Sequence, residues 1–230
     1  DPTLNAFPES RPEATDRARK SGISMGVEPK PSGNRPLQPV SDRFFYWLRA
    51  TMLETRRLGY WWANRMLQTT HPVEEKMALF WHGHFATHEN KVRDYRKMIQ
   101  QVDLFEKYAT GNFSQLAVAV AQNPAMLYFL DAGVNVKGAA NENFAREVME
   151  LFTMGVGNYT EKDVREAARA FTGWEIRNDQ YFFNKAQWDS TSKTVLGKTG
   201  AFGGEDIVDI AVEHPATARF IAGKLYRFLV

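Results

Sequence analysis

The sequence predicts a mainly α fold: several helices packed as an orthogonal, bundle-like domain, with one small β-hairpin inserted at about 174–184. Three observations carry this. Beyond residue 40 apolar residues recur mostly at three- and four-residue spacing, which places them on one face of a helix. Helix starts and stops are written in at intervals: Asn, Asp, Ser or Thr before the periodic runs, Gly or Asn-Pro after them. Two-residue alternation, the mark of a strand, is confined to one short stretch.

Residues 1–40 hold seven of the ten prolines with little periodicity, and read as an extended arm or linker. The helical domain is expected over 41–230. Ser41 or Asp42 caps a long first helix with Phe44, Leu48, Met52, Thr55, Trp62 and Met66 on one side, and Gly59 is a place for it to bend. Arg49, Arg56, Arg57 and Arg65 lie off that stripe. Beside Trp61 and Trp62 they raise a nucleic-acid stacking platform as one reading, against the plainer one of a solvated helix face. Pro72 suits a first helical turn, and the next helix is expected to run to about Gln100 with Met77, Trp81, His84, His88, Val92, Tyr95 and Ile99 inward. His84 and His88 then stand four apart, a spacing that offers two imidazoles to one metal. His82 points elsewhere, and Gly83 leaves room for another backbone.

Asn112 and Pro124 open two shorter helices, and Gly133 to Gly138 forms a loop. From Asn141 or Asn143 a helix carries Phe144, Val148 and Leu151 to a stop at Gly155, since glycine enters the left-handed conformation without a Cβ penalty. Thr160 with Asp163 reads as a shortened capping box for the following helix, which buries Val164, Ala167, Ala168 and Phe171 and ends at Gly173. Trp174–Arg177, Asn178-Asp179 and Gln180–Phe183 read as strand, turn and strand. Asp189 to Gly204 reads as a polar loop. Its Gly197-Lys198-Thr199 is no phosphate loop, because that pattern needs a glycine at 192, where serine stands; a looser anion site around Lys193 and Lys198 is the weaker alternative. Two helices close the sequence, 205–213 and 215–230. The second is expected to turn Ala218, Ile221, Ala222, Leu225 and Phe228-Leu229 inward and Arg219, Lys224 and Arg227 outward. It reaches Val230 without a cap, which reads as a domain cut short.

Composition narrows the function classes. With 230 residues and 43% hydrophobic content the chain can bury a sizeable core, and a net charge of +2 gives no global attraction to nucleic acid or anionic membrane. The absence of cysteine excludes disulfides and thiolate metal sites. No apolar run reaches transmembrane length. No haem, nucleotide or flavin signature is present, and no signal peptide is visible; a chain beginning at Asp1-Pro2 reads as already processed.

Chemistry concentrates on 141–174. Glu147 and Glu150, three apart, project from one side of a helix. Either Arg146, Arg165 and Arg169 balance them as structural ion pairs, or a divalent metal does, or one carboxyl stays protonated as a general acid.

Four segments together resemble one pattern: Glu75-Lys76-Met77 with Phe80 to Phe85; Asn141 to Glu147 with Glu150-Leu151; Tyr159-Thr160 with Asp163-Val164 and Ala168 to Trp174; and Lys193-Thr194 with Leu196-Gly197 and Pro215 to Phe220. On these the chain is similar over about 44–230 to the bacterial family catalogued as domain of unknown function 1800. The resemblance implies a longer, mostly helical parent protein, export to the periplasm, cell surface or exterior, and a protein partner from a neighbouring family that resembles phosphatases and sulfatases. His82, His84, Glu142, Glu147 and Glu150 match motif positions, to which the family assigns no role. His88 lies outside the motif, and Trp188-Asp189 departs from a common His-Asp. Two functions are therefore expected to compete. One is a structural or binding component of an envelope or extracellular assembly. The alternative is a metal-assisted hydrolase, with His82 and His84 as ligands of a divalent metal and Glu147 and Glu150 as catalytic carboxylates.

Overall fold

The computed structural model describes Phe7 and residues 38–230, with side chains from Thr51 onward. The expected arm at 1–40 therefore lies almost wholly outside the described residues. The chain divides into two compact units, residues 1–70 with 93–99, and residues 71–92 with 100–230.

In the first unit α1 (Gln38–Gln68) is continuous through Gly59, which is exposed and has no neighbour within 4 Å of a Cβ position. Among its described side chains Thr51, Glu54, Leu58 and Trp62 are buried, whereas Met52 is 44% exposed. Trp62 is buried as expected, but Thr51 and Glu54 are buried in place of the neighbouring Met52 and Thr55, and Glu54 pairs with Arg57 (2.7 Å). Arg65 stacks over Trp61 and Arg57 over Phe7, each 5.5 Å from the ring centre.

The second unit begins with α2 (Pro72–His84). The helix expected to reach Gln100 is broken: a short α3 (Glu89–Val92) follows, and then α4 (Tyr95–Lys107), whose residues up to Ile99 count with the first unit. Two local features account for this. His88 Nδ1 accepts from the Asn90 amide, starting a new turn, and Arg93 adopts a positive φ of 51°, from which Asp94 restarts the chain by accepting the Arg96 amide. His84 and His88 are therefore not four apart on one helix. Gly83 is exposed, and no backbone of the described residues comes within 4 Å of its Cβ position.

α5 (Phe113–Ala121) and α6 (Pro124–Phe129) start where expected. Asn112 accepts from Gln115 N, and Asn123 from Ala125 N and Met126 N. A 3-10 turn (Ala132–Val134) leads to α7 (Glu142–Glu147), a π-helix (Val148–Thr153), and α8 (Glu161–Ala170). Thr160 and Asp163 form the complete capping box. β1 (Trp174–Arg177) and β2 (Gln180–Phe183) pair antiparallel across Asn178 and Asp179, both at positive φ as a two-residue hairpin turn needs. Gly173 is required where it stands: its φ is +80°, and a Cβ would come 2.5 Å from Asn184 O.

After a 3-10 turn (Lys185–Gln187) the expected loop contains a second hairpin, β3 (Lys193–Val195) with β4 (Lys198–Gly200). Its strands are three residues each, and its turn places Leu196 and Gly197 at positive φ, a conformation that leucine does not advertise. α9 (Gly204–Glu213) and α10 (Pro215–Leu229) complete the chain. In α10 the buried residues are Ala216, Thr217 and Ile221, while Ala218 and Ala222 are exposed. Lys224, expected outward, is half-buried.

The core of this unit is aromatic. Phe144, Phe171 and Trp174 meet edge to face or tilted, with centroids 4.9–6.0 Å apart, and Phe85 joins Phe105, Phe113 and Phe152 at 5.2–6.3 Å. Among the described residues no helix is long and apolar enough to cross a membrane.

Candidate functional site

The candidate residues surround the joint where α7 widens into the π-helix. Asn135, only 2% exposed, fixes the entry. Its Oδ1 accepts from Asn141 N (2.9 Å), its Nδ2 donates to Ala168 O (2.9 Å), and its carbonyl accepts from Gly173 N (3.1 Å). One buried amide thereby ties α7, α8 and the first hairpin together. Asn141 then caps α7 by accepting from Asn143 N.

From Val148 the turn widens: the backbone bond from Met154 N reaches five residues back to Met149 O (3.0 Å), and the Thr153 side-chain hydroxyl donates to Val148 O (2.7 Å). A wider turn shifts the buried face. Phe144, Val148, Met149, Phe152 and Thr153 are buried, and Leu151, expected inward, is 47% exposed. The chain leaves at Gly155 (φ +77°), where a Cβ would lie 2.9 Å from the Phe220 ring.

His84 closes the far end of this helix. Its Nε2 bonds Phe152 O (2.9 Å), and Lys224 Nζ lies 3.2 Å from Nδ1. A carbonyl can only accept and an ammonium can only donate, so this pair of neighbours demands the neutral Nε2–H tautomer. Phe80, Trp81, Phe85 and Phe220 enclose the ring. Burial in that aromatic cage, with the Lys224 charge adding to it against the Phe152 bond, lowers the imidazole pKa to about 4. Lys224 also reaches Leu151 O (3.5 Å) and sits 4.5 Å over Phe220. His82 lies apart, edge-on to Phe105 with centroids 6.1 Å apart, and burial lowers its pKa. The two candidate metal ligands do not converge. Among the described residues no three His, Asp or Glu side chains gather as a metal would need.

Glu147 and Glu150 do lie within reach of one another's charge. The Glu147 pKa is raised by burial first and by Glu150 second, against a lowering by Arg146. Glu150 accepts a very short hydrogen bond from the Tyr159 hydroxyl, whose pKa burial and Glu150 push up to about 12. The arginines serve other carboxylates. Arg146 holds Glu161 through two bonds (2.7 and 2.8 Å) and Glu142 at 3.2 Å, so the expected pairing with Glu150 is not formed. Arg165 acts on Glu161 through its charge. Arg169 bonds Glu166 (2.8 Å) and Asp189 (2.8 Å), and against the effect of burial these bonds hold the Asp189 carboxyl well below the usual carboxylate range.

The anion site suggested for Lys193 and Lys198 is likewise occupied from within. Lys193, 1% exposed, donates to Asp189 O (2.5 Å) and Thr191 O (2.9 Å), and Lys198 pairs with Glu213 (2.6 Å). Trp188, where the family pattern commonly has histidine, keeps its Nε1 buried without an acceptor.

Three residues of this region escape a reading of the sequence. Asn135 looks like loop punctuation, Tyr159 like a residue flanking a cap, and Lys224 like part of a solvated face. A lysine one turn after Phe220 is the only signal of the last, and it becomes legible only once the π-helix exposes its carbonyls.

No curated protein matches the chain, and no solved structure matches it. One family model, described as a protein of unknown function (DUF1800), matches residues 8–230, reaching well into the segment that the motif resemblance left uncovered. A match over nearly the full length makes this chain a member of the DUF1800 family.

Proposed function

We propose that the chain is a structural or binding component of an exported envelope or extracellular assembly, with a protein partner of the phosphatase- or sulfatase-like kind. The observation that carries this reading is the state of His84. Both ring nitrogens are taken by the chain's own groups, Phe152 O and Lys224, where a hydrolytic metal site would leave one lone pair free. The arginines and lysines around it are committed in the same way. Exposed apolar side chains spaced seven apart on α1, Leu53, Tyr60 and Leu67 (59, 80 and 86% exposed), add surface of the kind that partners cover.

The hydrolase reading retains one favourable observation. The Glu147 side chain makes no hydrogen bond among the described residues and has a raised pKa beside a carboxylate that Tyr159 holds, an arrangement that separates an acid from a base.

The test is affinity capture of the tagged protein from its native host after crosslinking, with cell fractionation. Recovery in an exported fraction with a stoichiometric partner is expected. A solitary cytoplasmic protein would overturn the proposal.

A further inference from the structure

We infer that α10 sets the register of the π-helix at 148–153 and thereby decides whether Glu150 stays bonded to Tyr159. This goes beyond the assembly reading and does not depend on it.

Phe144, Val148, Leu151 and Gly155 form a regular α-helical stripe, so the local pattern favours an α register throughout. The structure instead buries Met149 and Phe152 and exposes Leu151. A π-turn is rare and needs outside support. That support comes from two helices remote in sequence. α2 supplies His84 to Phe152 O, and α10 supplies Lys224 to Leu151 O and to His84 Nδ1. One turn before Lys224, Phe220 presses on Gly155 where the chain exits. Phe220 and Lys224 therefore act as a two-point clamp on the carbonyl end of the wide turn. Thr153 Oγ1, donating to Val148 O and Met149 O, is the one side-chain support from within.

Without the clamp, the Met154 amide would move its bond from Met149 O to Glu150 O, and the last residues of the segment would rotate about the helix axis relative to α7. Leu151 would turn inward, completing the sequence stripe, and Glu150 would leave Tyr159. The element has two packings of one sequence, and α10 selects between them.

Tyr159 reports the state from a distance, because the charges acting on it are those of Glu150 and Arg146, not that of Lys224. The experiment is 13Cζ-tyrosine NMR titration of the full chain, with Tyr159→Phe to assign the signal. In the wild type Tyr159 is expected to titrate at about 12. In Lys224→Met it should fall toward the ordinary tyrosine value by the part that Glu150 supplies, burial keeping it above that value, and Lys224→Arg should retain the high midpoint. A midpoint unchanged in folded Lys224→Met overturns the inference. Should that variant not fold, relaxation dispersion at amides 150–154 of the wild type decides. Exchange with a minor state confined to this segment supports two registers, and flat profiles contradict them.

Discussion

Acid should loosen this fold through His84, by an amount the structure sets. The imidazole has a pKa of 6.5 when free and about 4 in its cage, so below pH 6.5 the unfolded chain binds a proton that the folded chain refuses. Stability is therefore complete above about pH 6.5 and is lost as the pH falls through the window down to about 4. At roughly 1.4 kcal/mol per pH unit, the gap between 6.5 and about 4 amounts to about 3 kcal/mol. The groups facing the ring are Phe152 O from the π-helix, Lys224 from α10 and the aromatic rings, and Lys224 only reinforces the effect. His82, Asp163 and Asp189 also carry lowered pKa values and add their own acid response. The comparison must accordingly be with His84→Gln, which removes this one titration and can still donate to Phe152 O. Urea unfolding followed by tryptophan fluorescence at half-unit steps from pH 8 to pH 4 should show the stability gap between wild type and variant shrinking by about 3 kcal/mol. A gap that changes by less than about 1 kcal/mol, or a His84 signal titrating near 6.5 by NMR, would refute the caged tautomer.

Other consequences are as direct. Gly173→Ala should destabilise by more than about 2 kcal/mol, since it adds left-handed strain to a Cβ 2.5 Å from Asn184 O; a thermal melt within a degree or two of wild type would contradict that geometry. Gly204→Ala should cost about 1–3 kcal/mol by overpacking, with its Cβ 2.3 Å from the Trp174 ring, and near-ultraviolet dichroism should register the displaced indole. Thr160→Ala should cost about 1 kcal/mol in urea unfolding through loss of the capping box. Asp189→Asn should cost about 1.5–3 kcal/mol at neutral pH by weakening the bonds to Arg169, a cost that disappears only in strong acid because the depressed carboxyl stays ionised until then.

What the sequence made legible is what short-range chemistry encodes. Asn112, Asn123, Asn141 and Thr160 cap the helices they precede, and Asn178-Asp179 turns the hairpin, because each acts on backbone groups within a few residues. The misread places are those where distant side chains override the local pattern. The α register expected at Leu151 gives way to a π-turn held by His84 and Lys224. The helix expected through His88 to Gln100 ends at His84, and the chain breaks again after Val92 at a positive φ on Arg93, which no residue type announces. The second hairpin hides behind Leu196 in a left-handed conformation. For the candidate site, the sequence named Glu147 and Glu150, whose charges act on one another, and His84, which bonds Phe152 O of the π-helix. It could not show that His84 is turned to a carbonyl, that Arg146 reaches across to Glu161, or that a tyrosine holds Glu150, since all three depend on packing between helices.

The most direct test of the claim that these polar groups serve the fold is elemental analysis by mass spectrometry of natively purified protein, repeated on a Glu147→Ala/Glu150→Ala variant shown to be folded. The account predicts metal far below one equivalent in both. Near-stoichiometric metal in the wild type that disappears in the folded variant would contradict it and return the site to the hydrolase reading.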